Sequence, residues 1–308
     1  MVSNLLLVAG NVLTLFLMMG VGFVFAYRGQ FSEKTRSQMT GVLMNVVAPC
    51  LIITSMPDKR DAETLKIFWM TALILLILYI IMILAASLFF GKEKADTRSV
   101  LQYGMIYGNV GFMGLPLLDA VLGHEALIFG VISIVMFNIV SWTHGVVLMG
   151  GKISVKSALF NPGIMGFIIA FILYITGISL PEPVYNAVNY MGSLNTPLAM
   201  VVIGAQMAAA KPSEIFKDLR LYLVSAVRLI VAPILTLLLI RLLPFTLSPL
   251  MALALIIESG CPVGGTTSMF AQLFHRDTGI AAESVAQSTL LSILTLPVIV
   301  AAAEIILS

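Results

Sequence analysis

Two long apolar stretches of this chain are each interrupted in the middle by glycine and proline, and the interruptions stand at matching places in its two halves. The first reads Gly108-Asn109-Val110-Gly111-Phe112-Met113-Gly114-Leu115-Pro116, the second Glu258-Ser259-Gly260-Cys261-Pro262-Val263-Gly264-Gly265. Backbone groups freed by such breaks find no partner in hydrocarbon, so they are tolerated only where protein buries them or where they line a cavity. Interrupted helices in corresponding positions of two halves are the sequence pattern that points to a transporter's binding site.

Composition places these stretches in a bilayer. The 308 residues are 59% hydrophobic and 10% charged, with a mean hydropathy of +1.05, where a soluble domain carries roughly 25% charged residues. Ten membrane spans are predicted, at 5–27, 37–57, 65–90, 99–122, 126–150, 161–180, 185–209, 219–243, 249–273 and 281–306. Each meets the need for about 20 mostly apolar residues. The first is longer than a signal-peptide core and has no basic region before it, so it reads as a retained helix. Asn161-Pro162 has the form of a helix start, and Pro181 and Pro183 mark a turn. Cys50 and Cys261 lie inside apolar stretches with neither metal-ligand nor disulfide spacing. Loops after the odd-numbered spans carry 12 Lys and Arg, and the opposite side carries 4 (Lys59, Arg60, Lys66 and Arg241). Basic loops stay in the cytoplasm, so the expectation is a multi-pass protein of the cell (inner) membrane with both termini outside the cytoplasm.

The halves share a rhythm. Asn45 to Pro49 in span 2 has a counterpart in Asn195-Thr196-Pro197 of span 7. From Pro49 to Pro116 is 67 residues, and from Pro197 to Pro262 is 65. The predicted fold is therefore an all-α membrane protein of ten helices in a five-plus-five repeat, with broken helices 4 and 9 crossing. An odd number of spans per half inverts the second half in the membrane, as in many secondary transporters.

Each break presents a half-helix N-terminus, partly positive, and a C-terminus, partly negative. Free N–H groups suit a carboxylate and free carbonyls a cation. Candidate substrate contacts are Asn109, Gly111, Gly264 and Arg228, and candidate ion-coupling residues are Glu258, Ser259, Thr266, Thr267 and Gln287. Glu258 lies about ten residues into span 9, on the order of 15 Å deep, where a carboxylate is a functional hypothesis by default. Three roles fit it: a Na⁺ ligand, the chain's one candidate metal contact; a proton carrier; or a member of a structural ion pair. Arg228 in span 8 keeps its charge. It can pair with Glu258, face an anionic substrate, or snorkel to the surface. Ser284, Ser288, Ser292 and Thr295 form one polar stripe on span 10, which must face protein or water. Asn138, Ser141 and His144 form a weaker stripe on span 5; His144 reads as interfacial and Asp119 as a possible relay after the first break.

Other classes fit less well. A channel needs a continuous polar pore. An enzyme is not expected, because the chain has neither His-Glu-x-x-His nor Gly-x-Ser-x-Gly. No Walker-type loop is present, and nothing suggests nucleic acid. The expected partners are a small organic anion and membrane lipid, with no cofactor beyond Na⁺ or H⁺ as a coupling ion. An uncoupled uniporter or channel for organic anions is the alternative.

The Gly108–Leu118 segment closely resembles the fourth-span crossover motif of the auxin efflux carrier family, which includes the plant PIN-FORMED carriers and bacterial relatives described as malate or malonate carriers. The segment 258–274 and the span-10 pattern resemble its bacterial branch. The resemblance implies a fold shared with bile-acid sodium symporters and transport by elevator-like alternating access. Scaffold parts would be residues 1–64 (spans 1–2) and 152–212 (spans 6–7). Transport-unit parts would be 65–151 (spans 3–5) and 213–308 (spans 8–10). It further implies a homodimer, Asn109 as a substrate contact, and Pro116 and Pro262 as the crossover prolines at the substrate site. The long cytoplasmic loop of the long plant carriers is missing here, and Glu258 departs from a plant-type site, which argues against auxin itself as substrate.

Overall fold

The computed structural model describes residues 2–56, 62–153, 156, 160–208, 215–243 and 247–307, with side chains described from residue 10. Lys59, Arg60 and Lys211 of the loop charge count, the span ends at 57 and 209, and the unit boundary at 212/213 lie outside the described residues. Among the described residues the chain is all helix, with no strand. Among the described residues, six helices are long and apolar enough to cross a membrane: α1 (Val2–Tyr27), α2 (Glu33–Thr54), α3 (Ala62–Ser87), α6 (His124–Leu148), α10 (Leu219–Leu242) and α13 (Thr278–Leu307). Shorter helices stand between them: α4 (Ala95–Ile106), α5 (Val110–Leu122), α7 (Pro162–Thr176), α8 (Glu182–Ser193), α9 (Asn195–Met207), α11 (Pro249–Ser259) and α12 (Thr266–Leu273).

The expected stretches 99–122 and 249–273 are thus each two helices, α4 with α5 and α11 with α12. The stretch 185–209, expected to be continuous, is also two. Pro197 falls in the first turn of α9, where a residue without an N–H breaks no intrahelical bond, so α8 ends just before it. Local chemistry sets several starts. Asn161, Ser248 and Ser32 accept from the N–H groups of Ile164, Met251 and Thr35, and Pro162 and Pro249 open α7 and α11. Asp218 caps α10, and its hydrogen bonds with the Arg220 side chain hold its carboxyl below the usual carboxylate range.

Three prolines widen their own helices. Leu43–Val47 precedes Pro49, Val110–Gly114 precedes Pro116, and Val227–Val231 precedes Pro233, and each segment is a π-turn. A proline lacks its N–H and clashes with the carbonyl four residues back. In all three helices that carbonyl lies inside the widened turn, which supplies the missing room.

The helices pack in two groups. One holds α1, α2 and α7–α9, the other α3–α6 and α10–α13; α1, α7 and α9 touch the second group through α5, α6 and α13. The second group buries α4 and α11 almost completely and centres on α6. Large apolar side chains point outward all around, among them Leu17, Leu84, Ile172, Leu238 and Leu294. In water such a surface would be unstable; it is what a lipid-facing surface requires. This is an integral membrane protein.

Helices α1 and α9 approach each other backbone to backbone at two glycines. A Cβ on Gly204 would lie 1.8 Å from the Met19 carbonyl oxygen, and one on Gly22 would lie 1.9 Å from that of Val201. Small residues allow such backbone contact in membranes. Gly204→Ala is therefore expected to lower stability by about 1–3 kcal/mol, whereas Gly20→Ala, which meets nothing within 4 Å, leaves it nearly unchanged. Thermal unfolding of the two variants in detergent checks this; equal melting temperatures would contradict the packing.

Candidate functional site

The two breaks meet. Where α4 ends and α11 ends, the extended linkers run antiparallel past each other, with Gly108 opposite Val263. Asn109 N–H donates to the Pro262 carbonyl at 2.8 Å, and Gly264 N–H donates to the Tyr107 carbonyl at 3.0 Å. Each break thus supplies the partners that the other lacks. Two side chains complete the joint. The Ser288 hydroxyl of α13 accepts from Val263 N–H at 3.0 Å, and Asn109 Oδ1 accepts from Phe112 N–H at the start of α5. A side chain at Gly264 would be tight, because a Cβ there would lie 3.1 Å from the Gly108 carbonyl oxygen.

The C-terminal side of the crossover is held by Arg228, which is 4% exposed. Its Nη2 donates to the carbonyls of Ser259 and Cys261 at 3.0 and 3.1 Å. Nε also reaches Cys261, and Nη1 reaches the Ile106 carbonyl, both at 3.3 Å. One guanidinium therefore bonds the ends of both half-helices, where unpaired carbonyls and two negative dipole ends converge. Gly108 makes the space, since a Cβ there would stand 2.1 Å from Nη2. Glu258, 1% exposed, sits beside this joint in a second glycine slot; a Cβ on Gly114 would come within 2.6 Å of both its oxygens. Neither carboxylate oxygen has a hydrogen-bond partner, and neither does the buried Ser133 hydroxyl. Glu258, Ser133, Arg228, Ser259 and Tyr79 line a cavity of about 20 Å³.

The N-terminal side faces a larger cavity of about 150 Å³ between the two helix groups. Residues 108–112 and 264–266 form one part of its wall. The first N–H groups of α5 and α12 have no intrahelical acceptors, and their dipoles present partial positive charge. The opposite wall is Met44, Ala48 and Ile52 of α2 with 161–163 at the start of α7. Side chains of α6 and α12, including Ile134, Phe137, Trp142, Met269 and Phe270, make the cavity mainly apolar, and Asn109 and Asn138 add polar groups. Behind it Tyr103 and Tyr107 pack with tilted rings, their centres 4.2 Å apart, and Tyr103 also touches Phe270 of the wall, which meets Trp142 edge-on. Tyr103 bonds the Ser141 hydroxyl at 2.7 Å, and Tyr107 bonds His144 Nδ1 at 2.9 Å.

Of the residues singled out from sequence, Asn109, Gly111, Gly264 and Thr266 line the large cavity. Glu258, Ser259 and Arg228 line the small one. Arg228 thus lies behind the crossed linkers, its donors directed at carbonyls. Pro116 sits in the first turns of α5, past the break, and Pro262 acts through its carbonyl; neither lines the large cavity. Thr267 is fully buried, with its hydroxyl unpartnered. Gln287 is not brought to Glu258's cavity: its oxygen accepts from the Ser225 hydroxyl at 2.9 Å, and its nitrogen donates to the Ile215 carbonyl at 2.7 Å. That amide ties α13 to α10. Asp119 is half exposed, 3.8 Å from His124, outside both cavities. Sequence reasoning missed Ser133, Trp142, Phe270 and the α7 wall. Ser133 stands five residues before Asn138, about 140° round the helix, so the polar stripe on that span did not point to it.

Comparison with known proteins adds a relationship over nearly the whole chain. The family described as "Membrane transport protein" matches residues 7–154 and 150–300. An uncharacterized transporter of Methanothermobacter thermautotrophicus is 23% identical over 300 residues, 93% of this chain and 95% of its own length. Another, of Methanocaldococcus jannaschii, is 26% identical over 308 residues, 92% of this chain and 95% of its own length. The uncharacterized transporter YfdV of Escherichia coli is 26% identical over 221 residues, 66% of this chain and 69% of its own length.

The geometry around Arg228 makes a stability prediction. A lysine carries one compact ammonium instead of a planar fork and cannot serve carbonyls of Ile106, Ser259 and Cys261 together. Arg228→Lys is expected to cost about 1–3 kcal/mol and Arg228→Ala more, because buried carbonyls are left unpaired. Melting temperatures of purified protein decide it; a lysine variant as stable as wild type would show that the fork is not needed.

Proposed function

This chain belongs to the membrane transport protein family, an auxin efflux carrier-like family of membrane transporters, and from that membership we propose a secondary active transporter for a small organic anion, a mono- or dicarboxylate. One observation carries this reading. Two half-helix N-termini open onto one cavity between two helix groups, while the carbonyl ends of their partners face away from it onto Arg228. That polarity favours negative charge in the cavity. The apolar walls from Phe137, Trp142 and Phe270 suit an organic group attached to it. In this reading the N–H groups near Gly111 and Thr266, with the Asn109 amide, hold the carboxylate, and Arg228 acts from behind as a fixed positive charge.

The same placement supports alternating access. α1, α2 and α7–α9 are the scaffold; α3–α6 and α10–α13 are the moving unit that carries the crossover past it. The order of elements supports the five-plus-five inverted repeat, since a broken pair falls in the fourth place of each half. The protein works in the cell membrane with both termini outside the cytoplasm.

A carboxylate that binds the folded state raises its melting temperature. A concentration about 100 times Kd contributes about 2.7 kcal/mol, a shift of several degrees. Malate, malonate and benzoate at millimolar concentration are the probes. At least one is expected to stabilise the wild type, and Asn109→Ala to need about tenfold more of it, the worth of one such hydrogen bond. If no carboxylate shifts the melting temperature, the organic-anion reading fails. Flux in vesicles that saturates and exchanges label across the bilayer separates the carrier from a channel.

A further inference from the structure

The crossover holds a permanent positive charge and, beside it, a carboxyl group with no partner. A transporter of this architecture has one obvious place for a free metal cation, the point where the carbonyl ends of two half-helices converge. Here the Arg228 guanidinium bonds the carbonyls of Ile106, Ser259 and Cys261 at that point. Next to that point a cation would find the small cavity, with two Glu258 oxygens, the Ser133 hydroxyl and the Tyr79 ring. The Ser259 hydroxyl already donates to the Ile256 carbonyl. A hard cation needs a cage of several oxygens, and this cavity adds the repulsion of a guanidinium that cannot discharge. A proton needs neither cage nor room. The cavity's 20 Å³ is enough for about one water molecule, which can deliver it.

We propose that Glu258 is the protein's proton-binding site and that Arg228 occupies, as a tethered cation, the place where a free Na⁺ would otherwise be held. In one half of the cycle the carboxylate takes up a proton from solution, relayed by the cavity water, and becomes a neutral acid; in the other it returns the proton to solution by the same relay. The charged and titratable groups that act on Glu258 are Arg228 from α10, Tyr79 from α3 and Cys261 from the α11–α12 linker. α5 and α6 present Gly114, Gly130 and Ser133 to it. Gly108 and Val110 line both cavities, so the charge on Glu258 is felt through a wall one backbone thick. With Glu258 neutral, Arg228 is unbalanced and the large cavity favours an anion; with Glu258 ionised, the two cancel. Proton and anion therefore favour each other's binding, as linkage requires. As a statement about coupling, this rests on the transporter reading; as a statement about proton binding, it stands on the geometry of the small cavity.

The experiment uses purified full-length protein without any organic anion, so its failure and that of the anion reading are distinguishable. Melting temperatures are measured from about pH 5 to about pH 9 in NaCl and in choline chloride of equal ionic strength, for wild type and for Glu258→Gln, which mimics the neutral acid. The wild type is expected to fall by about 2 °C or more relative to Glu258→Gln as pH rises, identically in Na⁺ and choline. Arg228→Met, which bares the carbonyls, is expected to gain a stabilisation by Na⁺ over choline that the wild type lacks. Superimposable pH profiles for wild type and Glu258→Gln would overturn the proton site, and a wild-type stabilisation by Na⁺ would overturn the tethered cation. Should Glu258→Gln fail to fold, Glu258→Asp, which keeps a titrating group, must displace the wild-type inflection along the pH axis; an unmoved inflection overturns the proposal equally.

Discussion

Everything at the centre of this protein depends on how two interrupted helices satisfy their broken backbones. The linkers around Gly108 and Val263 exchange two hydrogen bonds, and one guanidinium bonds the carbonyl ends on the far side. In lipid an unpaired peptide group costs several kcal/mol, so a break can exist at this depth only if its partners are as fixed as the break. Ser288 and Asn109 supply the remaining bonds. The result is a joint with opposite electrical faces, partial positive charge toward the large cavity and carbonyl ends toward Arg228. A local requirement for backbone pairing thereby becomes an electrical gradient across the crossover.

The glycines at the joint have more specific work than allowing helices to approach. Gly108 leaves room for the Arg228 fork, and Gly114 leaves room for the Glu258 carboxylate. Both charges are thus admitted by the absence of a side chain in the first broken span, at its linker for Arg228 and in its second half-helix for Glu258. The π-turns belong to the same logic. The turn containing Arg228 precedes Pro233, and the turn that opens α5 precedes Pro116. Prolines that widen a helix re-aim residues of that turn, which is one reason such turns recur at functional sites.

Much of this was legible in the residue order, within physical limits. The breaks at Gly108–Asn109 and Gly260–Gly265 could be read because clustered glycine and proline in an apolar run seldom leave a helix intact. The start at Asn161 and the polar stripe through Ser284, Ser288 and Ser292 follow from local hydrogen bonding and helical phase, and all three serines are fully buried. The division of 185–209 into α8 and α9 was not foreseen, since a proline gives the same signal inside a helix and in its first turn. Gln287 and Arg228 show the other limit: depth in a span says that a polar group must have a partner but not which one. Gln287 found Ser225 and a backbone carbonyl, and Arg228 found three carbonyls on two half-helices.

By itself, then, the amino-acid order determined that the chain is helical and membrane-embedded, that two of its spans are broken, and that Glu258 and Arg228 are buried deeply enough to demand a reason. Those are consequences of hydropathy, backbone hydrogen bonding and the cost of burying charge, all of which act within a single span. Only the tertiary structure decided which side of the crossover is positive, that Arg228 faces carbonyls while Glu258 faces a cavity the size of one water, and that α2 and α7 wall the larger pocket. Those facts depend on contacts between residues far apart in the chain, such as Gly108 with Val263 and Arg228 with Ile106, and no periodicity in the residue order carries them.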